Sequence, residues 1–186
     1  MISKAFAAAI SVAVLGAGTS WADPGTPDAG AVVRAFFAAT NVGNVDASLA
    51  FFTDDSYHML PGGKKYFGKD ELRNLFSLFA RENVRFDVPA DAAVKGGTVT
   101  FNMNVSTKWL VELGIAPTTV VHVATVDGNR IKAWYAYYPQ QSLTKMKQAC
   151  DAKPEVLAPN RPCGESIQIM KTHLDDLIAK GLAEKE

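Results

Sequence analysis

The side chains of this chain best suited to chemistry are His58, the adjacent pair Asp54-Asp55, two further histidines (His122 and His173) and two cysteines (Cys150 and Cys163). An imidazole titrates near neutral pH, so a histidine in a pocket could act as acid or base in an elimination, aldol or epimerisation step. Strand alternation puts His58 on the same face as Leu60. The plainer alternative is a partly buried rim histidine, hydrogen-bonded to Asp54 or Asp55. Two neighbouring carboxylates can share a proton and raise one pKa. The same residues also serve as turn and capping residues between a helix and a strand.

Other chemistries lack their patterns. The three histidines show no ligand spacing, and no His-Glu-x-x-His occurs, so no metal and no cofactor are expected. Gly96-Gly97 reads as a hairpin turn and not as a phosphate loop. No serine sits in a nucleophile turn. Asn104-Val105-Ser106 matches a glycosylation acceptor but falls inside an expected strand, so chance is the better account.

Positioning these groups requires helices first and strands after. Apolar residues recur at helical spacing from Asp28 to Val42, with Gly43 suited to the helix end. A short second helix capped by Asp46 carries Leu49, Phe51 and Phe52, and Thr53-Asp54-Asp55 breaks it. Ser56–Leu60 reads as a strand stopped by Pro61-Gly62-Gly63. Lys69–Glu82 reads as a third helix with Leu72, Leu75, Phe76 and Phe79 on one face.

The period then changes to two. Strands are expected over Val84–Val88, interrupted at Pro89 and resuming over Ala92–Lys95, then over Thr98–Trp109, Thr118–Val126 and Arg130–Tyr138. Leu110–Pro117 is too apolar for a solvated loop, and reads as a lid or a dimer seam. Helices return at Gln141–Cys150 and around Ile167–Ile178. The order predicts an α+β fold with helices on one face of an antiparallel sheet.

The first 22 residues read as a secretory signal. Lys4 precedes an apolar Ala5–Ala17 stretch, and Ser20-Trp21-Ala22 presents small residues where a signal peptidase reads, giving Asp23 as the new N-terminus. The expected location is therefore secreted or periplasmic. In an oxidising compartment an even cysteine count favours a Cys150–Cys163 disulfide. Closing that proline-rich loop would stabilise by roughly 3 kcal/mol. The expected organisation is a signal at 1–22, a domain at 23–140 and a helical extension at 141–186. The chain is 48% hydrophobic and 20% charged, with 19 Lys+Arg against 19 Asp+Glu. That balance argues against nucleic acid as the main partner, and no membrane span is expected once the signal is removed.

Gly43-Asn44-Val45-Asp46, Phe52-Thr53-Asp54-Asp55-Ser56-Tyr57-His58, Pro61-Gly62 and Gly68-Lys69-Asp70-Glu71-Leu72 resemble the SnoaL-like branch of the nuclear transport factor 2-like superfamily. Val126-Asp127-Gly128-Asn129-Arg130-Ile131, Trp134 and Tyr137-Tyr138 resemble its final hairpin. The resemblance covers about residues 30–140. It implies a cone-shaped, curved antiparallel sheet closed by three N-terminal helices around an apolar pocket, with His58 and Leu60 turned inward. It also implies that ketosteroid isomerase chemistry is lost. Leu60 stands where the base would be, Phe36 where an oxyanion-holding tyrosine would be, and Val121 where a protonated acid would be. Epoxide hydrolase chemistry is disfavoured too, because Ala136, Met103 and Val105 fall at its polar positions.

The expected site is thus an apolar pocket lined by Phe36, Leu60, Trp109, Val121 and Trp134, with His58 as its titratable group. A two-residue Asp127-Gly128 turn would put Val121 inside with Trp134 and turn His122 outward; a three-residue turn would reverse this. The expected function is an exported domain binding a small apolar or aromatic molecule without catalysis, as a homodimer through the sheet. A cofactor-independent lyase, isomerase or cyclase using His58 is the alternative.

Overall fold

A computed structural model of the protein describes residues 28–81, 84, 86, 89, 92–158 and 161–183. The signal expected at 1–22 and most of the strand expected at Val84–Val88 lie outside them. Helix α1 (Ala29–Asn41) is capped by Asp28, whose side chain accepts from the Gly30 N–H at 3.2 Å. It buries Val32, Val33, Phe36 and Phe37 and stops before Gly43, which takes φ +71°. Asn44, and not Asp46, caps α2 (Val45–Ala50); Asp46 instead pairs with Arg73 at 2.6 Å.

Strand β1 (Phe52–Met59) begins earlier than the sequence pattern suggests, absorbing Thr53-Asp54-Asp55. It turns at Pro61-Gly62-Gly63 into β2 (Lys65–Phe67), a short edge strand without a clear period of its own. Helix α3 (Gly68–Arg81) follows. Then come β3 (Ala93–Lys95), β4 (Thr98–Val105), α4 (Lys108–Leu113), β5 (Thr118–Asp127), β6 (Arg130–Tyr137), α5 (Gln140–Ala152) and α6 (Cys163–Ala179).

The six strands form one sheet in the order β2-β1-β6-β5-β4-β3. Only β1 and β6 run parallel, which the long intervening chain permits. Helices α1 and α3 pack on one face, here the inner face. Phe36 contacts Phe37, Phe52, Phe76 and Trp134 with ring centroids 4.7–5.5 Å apart, so the inner face carries a continuous aromatic core. The Asn41 amide holds Phe86 in that core, donating to its carbonyl at 2.7 Å and accepting from its N–H at 2.8 Å.

The expected strand Thr98–Trp109 ends at Val105, and its last residue turns into α4. Trp109, Leu110 and Leu113 are buried in a second apolar cluster with Leu143 and Met146 of α5 and Leu174 and Leu177 of α6. Leu110 and Leu113 of the apolar 110–117 stretch therefore form the packing face of α4, with Ile115 and Ala116 beyond the helix end packed against the same cluster and Val111 exposed. Cys150 and Cys163 are joined as a disulfide with Cα atoms 5.8 Å apart, tying α5 to α6. Helix α6 lies against β6: its His173 Nε2 sits 3.3 Å from the Ala136 carbonyl, and the Tyr135 hydroxyl donates to the Leu182 carbonyl at 3.0 Å. It thus occupies part of the outer sheet face through which a homodimer was expected. No helix among the described residues is long and apolar enough to cross a membrane.

Candidate functional site: a buried His-Trp-His array

The parallel register sets His58 beside Trp134, and the antiparallel register sets Ala124 opposite Trp134 and His122 opposite Ala136. All three of His58, Trp134 and His122 then project from the inner face. His58 is 1% exposed, Trp134 1% and His122 5%. The His58 ring stacks on the indole at a centroid distance of 3.7 Å, and its Nδ1 lies 2.9 Å from the Trp134 carbonyl. Across the ring, the Trp134 Nε1–H donates to His122 Nδ1 at 3.0 Å. His122 in turn stacks on Phe101, 5.4 Å away and 10° from parallel.

These bonds assign the tautomers. Facing a carbonyl, His58 carries its proton on Nδ1; facing an indole N–H, His122 accepts at Nδ1 and carries its proton on Nε2. His122 Nε2 has no partner among the described residues. Burial pushes the His58 pKa down to about 3, helped by the nearby His122 ring and opposed by the Trp134 carbonyl. Burial alone pushes His122 down to about 3. Both imidazoles are neutral near pH 7, and aromatic rings cover them.

The aspartates do not join this array. Asp54 is exposed and pairs with Lys69 at 2.7 Å, and that ammonium holds its carboxyl below the usual range. His58 is accordingly a core histidine bonded to a backbone carbonyl, neither a rim group nor a partner of Asp54 or Asp55. No group of three His, Cys, Asp or Glu side chains suited to a metal occurs among the described residues.

The five residues expected to line one pocket are divided between two sides. Phe36 and Trp134 belong to the inner aromatic core. Trp109 belongs to the second cluster, against which Val121 packs on the outer face, and Leu60 is half-buried beyond the end of β1. Val121 and His122 thus exchange the faces expected from a two-residue Asp127-Gly128 turn. The turn is Gly128-Asn129, so Asp127 pairs with Arg130 and Val126 with Ile131. A bulge at Lys132 then shifts the register, so Thr125 pairs with Ala133. The turn moves the pairing by two residues and so keeps the faces; the bulge moves it by one more and inverts which side of β5 faces Trp134. Asn129, as suited as Gly128 to a turn centre, signals the shifted turn, whereas no local pattern signals the bulge that exchanges the faces.

The outer face carries a trough of about 910 Å³ between β3–β6 and α6. Thr98, Thr100, Asn102 and Thr125 line one side, and Val121, Tyr137, Leu174 and Ile178 line the other. A smaller cavity of about 430 Å³ lies between β2 and α3.

The SnoaL-like domain family matches residues 33–136. No curated protein matches the chain. Among solved structures, a cystatin-fold protein from Novosphingobium aromaticivorans is 23% identical, with 59% of this chain and 97% of that one aligned at a TM-score of 0.48. An NTF2-like protein of unknown function from Cytophaga hutchinsonii is 13% identical over 63% and 95% of the two chains, at 0.47. An LEH-like epoxide hydrolase from M. tuberculosis is 21% identical over 69% and 96%, at 0.49.

Proposed function

Because this chain belongs to the SnoaL-like family of the nuclear transport factor 2-like superfamily, we propose that it is an exported, non-catalytic member that binds a small apolar or aromatic molecule. The observation that carries the reading is the state of its inner-face polar groups. His58 and His122 are the histidines that alternation and register turn inward, and both are neutral, ring-covered and bonded through Trp134. A base whose pKa is near 3 holds a proton too weakly to drive abstraction at neutral pH. By the family resemblance, Phe36, Leu60 and Ala136 stand where isomerases and hydrolases carry polar groups, while Val121 faces outward and His122 takes its inner place. Aromatic rings occupy the space where a cone pocket was expected, so the ligand is held outside it. The Ser20-Trp21-Ala22 pattern supports export.

Native mass spectrometry of protein recovered after export tests the reading. The chain should begin at Asp23 and carry a non-covalent small molecule. Intact Met1 would remove the export claim. A turnover assay in which the His58→Asn variant abolished a lyase or isomerase activity would replace binding with catalysis.

A further inference from the structure

We propose that the trough on the outer sheet face is the ligand site, and that it takes an elongated apolar molecule with a carboxylate at one end. The inference rests on the binding reading above and adds the place and the chemistry. Its volume of about 910 Å³ lies in the range of small-molecule sites. Helix α6 runs over β6 and leaves the outer side of β4 uncovered, so the trough has a helix for one wall and a sheet for its floor.

Three features select the ligand. First, the outer side of β4 presents Thr98, Thr100 and Asn102 at alternate positions, a row roughly 14 Å long at strand spacing. Their side chains make no hydrogen bond among the described residues. This row stays in contact with water and forms the open polar edge of the trough, which leaves an apolar body the opposite wall to lie against. Second, Leu174 and Ile178 of α6 face Val121 across the trough, giving the opposite edge an apolar wall. Third, the two charges at the trough are unequal. Asp175 is neutralised by Lys171 at 2.7 Å. Lys95 has no carboxylate partner among the described residues and pairs in register with Thr98, at the hairpin end. A carboxylate head is therefore placed at Lys95, with the apolar body running across the trough toward Val121 and the Leu174–Ile178 wall.

Dodecanoate is the probe, with dodecanol as its uncharged counterpart, titrated calorimetrically against the full exported chain. Thr100→Trp fills the trough from an outward strand position that tolerates an aromatic residue, and it should abolish dodecanoate binding with the melting temperature unchanged. Lys95→Glu should weaken dodecanoate by roughly tenfold and leave dodecanol alone, the size expected for reversing one exposed charge. Dodecanoate binding that survives Thr100→Trp overturns the site. Binding of both probes without discrimination by Lys95→Glu overturns the carboxylate assignment. If flat aromatic probes bind the wild type while dodecanoate does not, this inference fails and the binding reading stands; if nothing binds, both fail. A dimer that dissociates in Thr100→Trp assigns the trough to a second copy and overturns the ligand site.

Discussion

The indole N–H of Trp134 donates to Nδ1 of His122 at 3.0 Å, and that one bond determines which nitrogen of a fully buried imidazole carries the proton. Its consequence is a buried Nε2–H on His122 that the described residues leave unpaired. His58, stacked on the face of the same indole, is held in the opposite tautomer by the Trp134 carbonyl. Trp134 thus orients two histidines at once, through its ring nitrogen and through its backbone.

The two tautomers are directly measurable. Long-range nitrogen–proton correlation spectra at pH 7 should show His122 as the Nε2–H form and His58 as the Nδ1–H form. Trp134→Phe should release His122 to a mixture and cost about 1–3 kcal/mol, because it leaves a buried acceptor without its donor. A His122 spectrum unchanged by Trp134→Phe would contradict the assignment.

Acid should weaken the fold through the same pair. Their folded pKa values of about 3 lie below the unfolded value near 6.5. The unfolded chain therefore binds protons first as pH falls. The stabilising contribution is complete above about pH 6.5 and is lost as pH drops toward 3, at about 1.4 kcal/mol per pH unit for each histidine. Chemical denaturation at pH 7, 6, 5 and 4 should show this slope. His122→Asn keeps an acceptor near the Nδ1 position without titrating, and should remove about half of it.

His58→Ala should behave as a core deletion. Losing a stacked ring and a buried donor together should cost about 2–4 kcal/mol. His58→Asn, which retains a donor toward the Trp134 carbonyl, should recover part of that loss. Equal stability of the two variants would mean that the hydrogen bond contributes little.

Reduction should act locally before it acts globally. The disulfide ties α5 to α6, and α6 covers Tyr135 and Tyr137. Cys163→Ser should lower stability by about 3 kcal/mol on the loop-entropy model. Hydrogen exchange should speed up in α6 while α1 and β4 stay protected. Uniform loss of protection would show that the extension and the sheet unfold as one unit.

Gly97→Ala tests the hairpin that begins β4. A Cβ there would overlap the Val126 carbonyl oxygen, a backbone atom that cannot rotate away. That carbonyl must shift, at a cost of about 1–3 kcal/mol. Gly96→Ala meets no neighbour, but Gly96 sits at φ +58°, so its smaller penalty is conformational. The melting temperatures should rank wild type, Gly96→Ala, Gly97→Ala.

Much of this protein was determined by local sequence alone. The helical spacing of Val32, Val33, Phe36 and Phe37, the stop at Gly43, the two-residue period of Val99, Phe101 and Met103, and the paired cysteines each act over a few residues or a short loop. They place most of the elements and most of the aromatic core; the inward turn of His58 came from the family resemblance. Tertiary structure decided the rest. Whether His122 or Val121 faces Trp134 is decided by the bulge at Lys132, because the shifted turn at Gly128-Asn129 moves the pairing by two residues and keeps the faces. Alternation supplies the period but not the phase, because pairing energy is summed over both strands. The end of β4 was decided in the same way. Trp109 continues an apolar run that suits a strand, but α5 and α6, arriving more than thirty residues later, offer a helical face for it to bury against. Those same late helices built the outer trough, whose two walls come from segments too distant in sequence for any local pattern to join.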